Sequence, residues 1–113
     1  MDNSSAIKLD SVMSTDPLYI KGDTVLNIED CGRLCIVIEP CVVRLQPVLG
    51  LCYNICSNTE SCTLETTDNK FFIGCGGSGK KIVLSEESAI NLICGDKYWF
   101  VVAIRSEKSY YID

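Results

Sequence analysis

The chain has no histidine. That absence removes Ser-His-Asp and Cys-His nucleophiles, imidazole general bases and mixed histidine–carboxylate zinc sites, so any catalysis would have to run on Cys, Asp, Glu, Lys, Arg or Tyr. Long apolar runs are missing as well: no stretch approaches the roughly 20 residues a membrane helix needs. The expectation is a soluble, folded chain without a membrane partner. Basic residues are outnumbered, 10 against 15 acidic, for a net charge of −5. This argues against sequence-independent nucleic-acid binding, whose affinity comes from neutralising phosphates.

A secretory signal is not apparent either. The N-terminal stretch MDNSSAIKLDSVMSTD carries Asp2, Lys8, Asp10 and Asp16 among its apolar residues and lacks a continuous apolar core. The expectation is an intracellular protein, nuclear or cytoplasmic, in which the sequon Asn3-Ser4-Ser5 carries little weight.

What is present is a chain of 113 residues, the length of one domain with room for a real core. Strand-length apolar segments recur every eight to twelve residues with turn residues between them, the pattern of an all-β two-sheet sandwich or barrel. Strands are expected near Ala6–Val12, Leu18–Ile20, Thr24–Ile28, Leu34–Ile38, Cys41–Leu45, Gly50–Ile55, Ser61–Glu65, Lys70–Ile73, Lys81–Leu84, Ala89–Cys94 and Lys97–Ile104. Lys21-Gly22-Asp23, Thr67-Asp68-Asn69 and Gly95-Asp96 supply turn chemistry, and Glu39-Pro40 and Gln46-Pro47 interrupt ladders. The segment SEESAINLICG could open a helix at Ser85 and close it at Gly95. The alternation of Ile90, Leu92 and Cys94 favours a strand. The core is expected over residues 6–105, with a short polar and aromatic tail from 106 to 113.

Eight cysteines are unusual in a chain this short. Six repeat one spacing, Cys31-x3-Cys35-x5-Cys41 and Cys52-x3-Cys56-x5-Cys62, offset by 21 residues. Disulfides, a metal site and buried free thiols all compete to explain them. On strands, positions four apart share a face but lie roughly 13 Å apart, too far to ligate one metal. The C-x2-C knuckles of structural zinc sites are absent, and a reducing compartment would keep disulfides open. Buried free thiols are preferred, and the recurrence is taken as coincidence.

The stretch IGCGGSGKK, residues 73–81, fits G-x-x-x-x-G-K, the opening of a phosphate-binding loop. A working loop needs Ser or Thr after the lysine and a helix behind it. Here Lys81 follows Lys80, and Ile82-Val83-Leu84 continues as strand. The reading is a glycine loop joining strands, with Lys80 and Lys81 kept as candidates for an anion-contacting tip. Lys97-Tyr98-Trp99-Phe100 interleaves a cation with aromatics that could stack on bases. On a strand, however, Trp99 faces away from Tyr98 and Phe100, which favours a core face against a partly exposed one. Tyr110-Tyr111-Ile112 either frays or adds a strand to an edge or a partner.

The closing stretch LSEESAINLICGDKYWF, residues 84–100, with YIKGDTVL at residues 19–26 and EPCVVRL at residues 39–45, resembles forkhead-associated (FHA) domains of the strand-break-repair group. That group includes those of aprataxin, polynucleotide kinase-phosphatase and the aprataxin-and-kinase-like factor. The likeness spans residues 6–105 and implies an FHA-like β-sandwich that binds proteins, without cofactor or catalysis. Members read phosphothreonine through a Gly-Arg arginine and a Ser-Arg serine, contacts a phosphate dianion needs. Here those places hold Asn27-Ile28 and Val42-Val43. A second register offers Gly32-Arg33 with no serine–arginine pair after it. The resemblance therefore implies a degenerate domain that has lost ordinary phosphothreonine reading and binds protein partners, a homodimer among them. Arg33, Arg44, Lys80, Lys81, Tyr110 and Tyr111 are its candidate binding residues. The competing readings are a secreted, disulfide-stapled β-domain and an enzyme with a cysteine nucleophile beside a lysine or arginine.

Overall fold

The computed structural model describes residues 16–106 and 108–113, so the strand expected at Ala6–Val12 lies outside the described residues. From Leu18 to Thr66 the chain is a run of short Val-, Ile- and Leu-rich segments separated by turns. It responds by alternating between two sheets. Strands β1 (Leu18–Ile20), β3 (Leu34–Val37) and β5 (Cys52–Ser57) lie in sheet I, while β2 (Thr24–Leu26), β4 (Cys41–Leu45) and β6 (Cys62–Thr66) lie in sheet II. Each strand pairs in parallel with the strand two before it. The first half is thus a flattened coil rather than a set of hairpins.

This path gives the cysteine recurrence a counterpart at one of its three pairs. In sheet II, Cys41 pairs with Cys62, an offset of 21, and Leu45 pairs with Thr66. The other turns of the coil are shorter: Leu18 lies opposite Cys35, an offset of 17, and Thr24 opposite Val43, an offset of 19. Between β3 and β5 the offset is 20, with Cys35 opposite Ile55 and Ile36 opposite Cys56. A one-residue slip reverses side-chain facing, so Cys35 points into the core and Cys56 points out.

The second half closes the coil with antiparallel pairs, apart from β7 and β11, which run parallel. Strand β7 (Phe72–Gly74), β8 (Gly77–Gly79), β10 (Ser88–Cys94) and β11 (Trp99–Arg105) complete the seven-stranded sheet I in the order β1-β3-β5-β10-β11-β7-β8. Strand β9 (Lys81–Leu84) and β12 (Tyr110–Ile112) complete the five-stranded sheet II in the order β12-β9-β6-β4-β2. The fold class is thus the expected all-β two-sheet sandwich, and residues 88–94 are strand. Gly95 turns the β10–β11 hairpin, its N–H donating to the Tyr98 carbonyl at 3.0 Å. Strand β2 stops at Leu26 rather than Ile28 because Asn27 caps a 3-10 turn over Ile28–Asp30. The Asn27 Oδ1 accepts from the Glu29 N–H at 3.0 Å, and the Asn27 N–H donates to the Asp30 carboxylate at 3.0 Å.

The inward residues of both sheets form one core. Leu26, Val37, Leu45, Leu64, Leu84 and Leu92 are fully buried there. Trp99 anchors its aromatic part, with ring centroids 6.0 Å from Tyr53 and 6.3 Å from Phe72. Its indole N–H donates to the Asp68 carboxylate at 3.1 Å. Burial works against ionisation of Asp68, but the Lys70 amide, the Trp99 indole, the Thr66 hydroxyl and the Lys70 ammonium outweigh it and hold that carboxyl below its ordinary range.

The glycines of the loop-like stretch have structural tasks. Cys75 and Gly76, at φ 51° and 87°, make a two-residue turn between β7 and β8, the left-handed geometry hairpins favour. A Cβ on Gly77 would meet the Tyr111 ring at 2.6 Å, and one on Gly79 would meet the Ile112 carbonyl oxygen at 2.7 Å. Strand β12 of sheet II thereby crosses onto β8 of sheet I, and the Tyr111 hydroxyl donates to the Gly74 carbonyl at 2.5 Å.

Candidate functional site

Outward positions alternate with core positions on every strand, so each sheet presents a row-by-row outer face. On sheet II one row is charged. Arg44 pairs with Glu65 across β4 and β6, with 3.3 Å between guanidinium and carboxylate, and Lys81 on β9 reaches the same carboxylate at 3.2 Å. The neighbouring row runs Val42, Thr63, Val83, Tyr110.

The outer face of sheet I differs. One row, following the pairing register, runs Tyr19, Ile36, Cys56, Ala89 and Arg105. The next runs Leu34, Asn54, Asn91 and Ala103. A third runs Cys52, Ile93, Phe100, Ile73 and Ser78. Arg105, at the end of its row, is the only charge among them. Tyr19, Leu34 and Phe100 are 58%, 42% and 47% exposed. Near the centre the Asn91 amide Nδ2 donates to the Asn54 Oδ1. Around this amide pair lies a shallow groove of about 330 Å³ bordered by Leu34, Cys56, Ala89 and Ala103.

The residues singled out from the sequence are dispersed. Arg44 and Lys81 share Glu65, and Tyr110, 57% exposed, stands on the same outer face of sheet II. Lys80 lies over the Phe71 ring, 5.8 Å from its centroid. The Arg33 Nε–H donates to the Asp16 carbonyl at 2.7 Å, and Tyr111 is turned inward onto the glycine seat. No two of the free cations converge with backbone N–H groups to cradle an anion among these contacts.

All eight cysteines are thiols. Burial pushes Cys35 up to about 11 and Cys62 to about 12, and raises Cys31, Cys41 and Cys94 as well. Cys75 is exposed at the β7–β8 turn. Among the described residues no group of three or more His, Cys, Asp or Glu side chains could hold a metal ion.

Two features escaped the residue-by-residue reading. Ser85, Ser88, Ser106 and Ser109 bring four hydroxyls within 3.4 Å of one another, tying the β9–β10 turn to the approach of β12. A cleft of about 500 Å³ lies beside them, bordered by Glu86, Glu87, Arg105 and Lys108. The second is the uncharged face itself. Its signal was present in the sequence, since CYNICS (52–57) and SAINLIC (88–94) carry no charge at either parity. Comparison with protein families, with curated proteins and with solved structures finds no match for this chain.

Proposed function

We propose that the chain is a non-catalytic protein-interaction module that works through the outer face of sheet I. One observation carries this reading: three consecutive rows across that sheet hold a single charge, Arg105. Water-facing surfaces ordinarily mix charges of both signs, as the face of sheet II does. Contiguous apolar patches of several hundred Å² mark interaction sites. Strands β5 and β10 carry no charged residue on either face.

Five of the eight thiols are poor candidates for a nucleophile. A nucleophilic cysteine needs a lowered pKa, whereas burial raises Cys31, Cys35, Cys41, Cys62 and Cys94. The loss of phosphothreonine reading implied by the FHA resemblance is supported by the placement of its pocket positions. Asn27 caps its own turn, Val43 is fully buried, and Arg33 is bound to a main-chain carbonyl.

The test is titration of the native chain, at nanomolar concentration, with a fluorescent dye that lights up on apolar surfaces. Wild type is expected to bind it. Ile93→Glu combined with Phe100→Glu is expected to weaken binding about tenfold or more, given the transfer energy of two large apolar groups. No dye binding by wild type, or equal binding by the double variant, would contradict the proposal.

A further inference from the structure

We infer that the occupant of the sheet I face is a second copy of this chain, the two faces meeting across a two-fold axis with Asn54 and Asn91 at its centre. This rests on the reading of that face as a protein-binding surface. One observation favours a copy of the chain over another partner, and two more fit it.

The first is hydrogen-bond complementarity. Within one chain the Asn91 Nδ2 donates to the Asn54 Oδ1, which leaves the Asn54 Nδ2 donors and the Asn91 Oδ1 acceptor unmatched by each other. Covered by an apolar surface, both would lose water without a replacement partner, a costly outcome. A two-fold copy supplies what is missing. Each Asn54 Nδ2 donates to the Asn91 Oδ1 of the other copy, so one residue pair satisfies itself reciprocally, as closed isologous interfaces require.

The second is charge. The chain carries −5 overall, so two copies repel through most of their surfaces, and like charges brought together across an interface are costly. The three rows of sheet I are where that cost is least. Arg105, the one charge of these rows, ends its row and borders the groove around the amide pair.

The third is size. Seven strands spaced about 4.8 Å apart, with central strands of six or seven residues rising about 3.3 Å each, give a face on the order of 600 Å². That is close to the roughly 800 Å² per partner of a standard-size interface.

The experiment is sedimentation velocity of the full chain across the micromolar range, with Asn91→Glu on sheet I and Thr63→Glu on sheet II as paired variants. The fluorescence of buried Trp99 reports whether each variant is folded. Wild type and Thr63→Glu are expected to sediment as dimers. Asn91→Glu is expected to sediment as a monomer, its Kd raised about a hundredfold or more by an unpaired charge in a desolvated centre. Should Asn91→Glu unfold, Ala89→Arg, one row away, replaces it with the same expectation. A dimer indifferent to the sheet I variants, or an assembly of another order, overturns the two-fold pairing. A wild-type mass of one chain overturns it too, and the dye then decides the fate of the underlying reading. Binding by the monomer leaves the face in place for a different protein, whereas no binding removes both. A monomer that takes up dye only after residues 1–15 are removed would assign the face to that segment instead.

Discussion

The two outer faces of this molecule are built by the same rule and arrive at opposite chemistry. Both sheets bury every second residue in a shared core, and both leave the alternate residues outside. Sheet II gives one row of those positions to Arg44, Glu65 and Lys81, which tie three neighbouring strands together with ion pairs, and the next to Val42, Thr63, Val83 and Tyr110. Sheet I spends them on Tyr19, Leu34, Ile36, Ile93 and Phe100, around one amide pair. Folding needs only the inward half of each strand to be apolar. The outward half is free to vary, so its composition reports what covers it.

The sharpest way to break this comparison is to contrast neighbours on one strand. Trp99→Ala is expected to cost about 3–5 kcal/mol, because it empties a fully buried aromatic site against Tyr53 and Phe72. Phe100→Ala, the next residue and 47% exposed, is expected to cost the dilute chain only about 0.5 kcal/mol. Urea unfolding at low protein concentration measures both. Comparable losses would mean that Phe100 belongs to the core and that sheet I has no free face near it.

Next in size is the place where the two sheets touch through β12. A methyl at Gly79 would sit 2.8 Å from the Tyr111 Cβ and 2.7 Å from the Ile112 carbonyl oxygen, neither of which is a flexible side-chain end. Gly79→Ala is expected to cost about 1–3 kcal/mol by overpacking and to free the C-terminal strand. Limited proteolysis should then cut near Tyr110 before the rest of the chain. Wild-type resistance there would show that the glycine seat is not what holds β12.

Smallest is the ion-pair network of sheet II. Arg44 and Lys81 are 59% and 46% exposed, so Glu65→Gln is expected to cost about 0.2–1 kcal/mol at low salt and almost nothing at high salt. A large, salt-independent loss in thermal unfolding would mean that this face is buried against something too, and the contrast between the sheets would fall.

Much of this architecture could be read from the residues, and the reasons for the remainder are specific. Strands such as Leu34–Val37, Cys41–Leu45 and Lys81–Leu84 announce themselves through β-branched runs between turn residues, and Gly95 marks its hairpin. The assignment of residues 88–94 followed from the alternation of Ile90, Leu92 and Cys94, which a helical stripe does not explain. The parallel coil was not legible, because strand propensity carries no information about which distant strand is the partner. The 21-residue cysteine spacing coincides with the coil only at Cys41 and Cys62. The other turns are offset by 17, 19 and 20, and Cys35 and Cys56 face opposite ways. Strand β8 was hidden in Gly77-Ser78-Gly79, whose glycines are there for Tyr111 and not for a loop. The candidate cations misled for a related reason. Arg44 and Lys81 stand far apart in sequence, and only the pairing of β4, β6 and β9 brings them to one carboxylate. Uncharged Asn54 and Asn91 drew no attention because their importance lies in the apolar rows around them.

The most direct measurement uses a thiol already present on the face. Cys56 stands in the first row of sheet I between Ile36 and Ala89, while Cys75 is exposed at the β7–β8 turn. The native chain would be treated briefly with a small alkylating reagent at nanomolar and at high micromolar concentration, and modification of each cysteine read by mass spectrometry. The pairing of faces predicts that the Cys56 rate falls about tenfold or more on concentration while the Cys75 rate is unchanged, because reactivity follows access to the thiol. Equal Cys56 rates at both concentrations would contradict it.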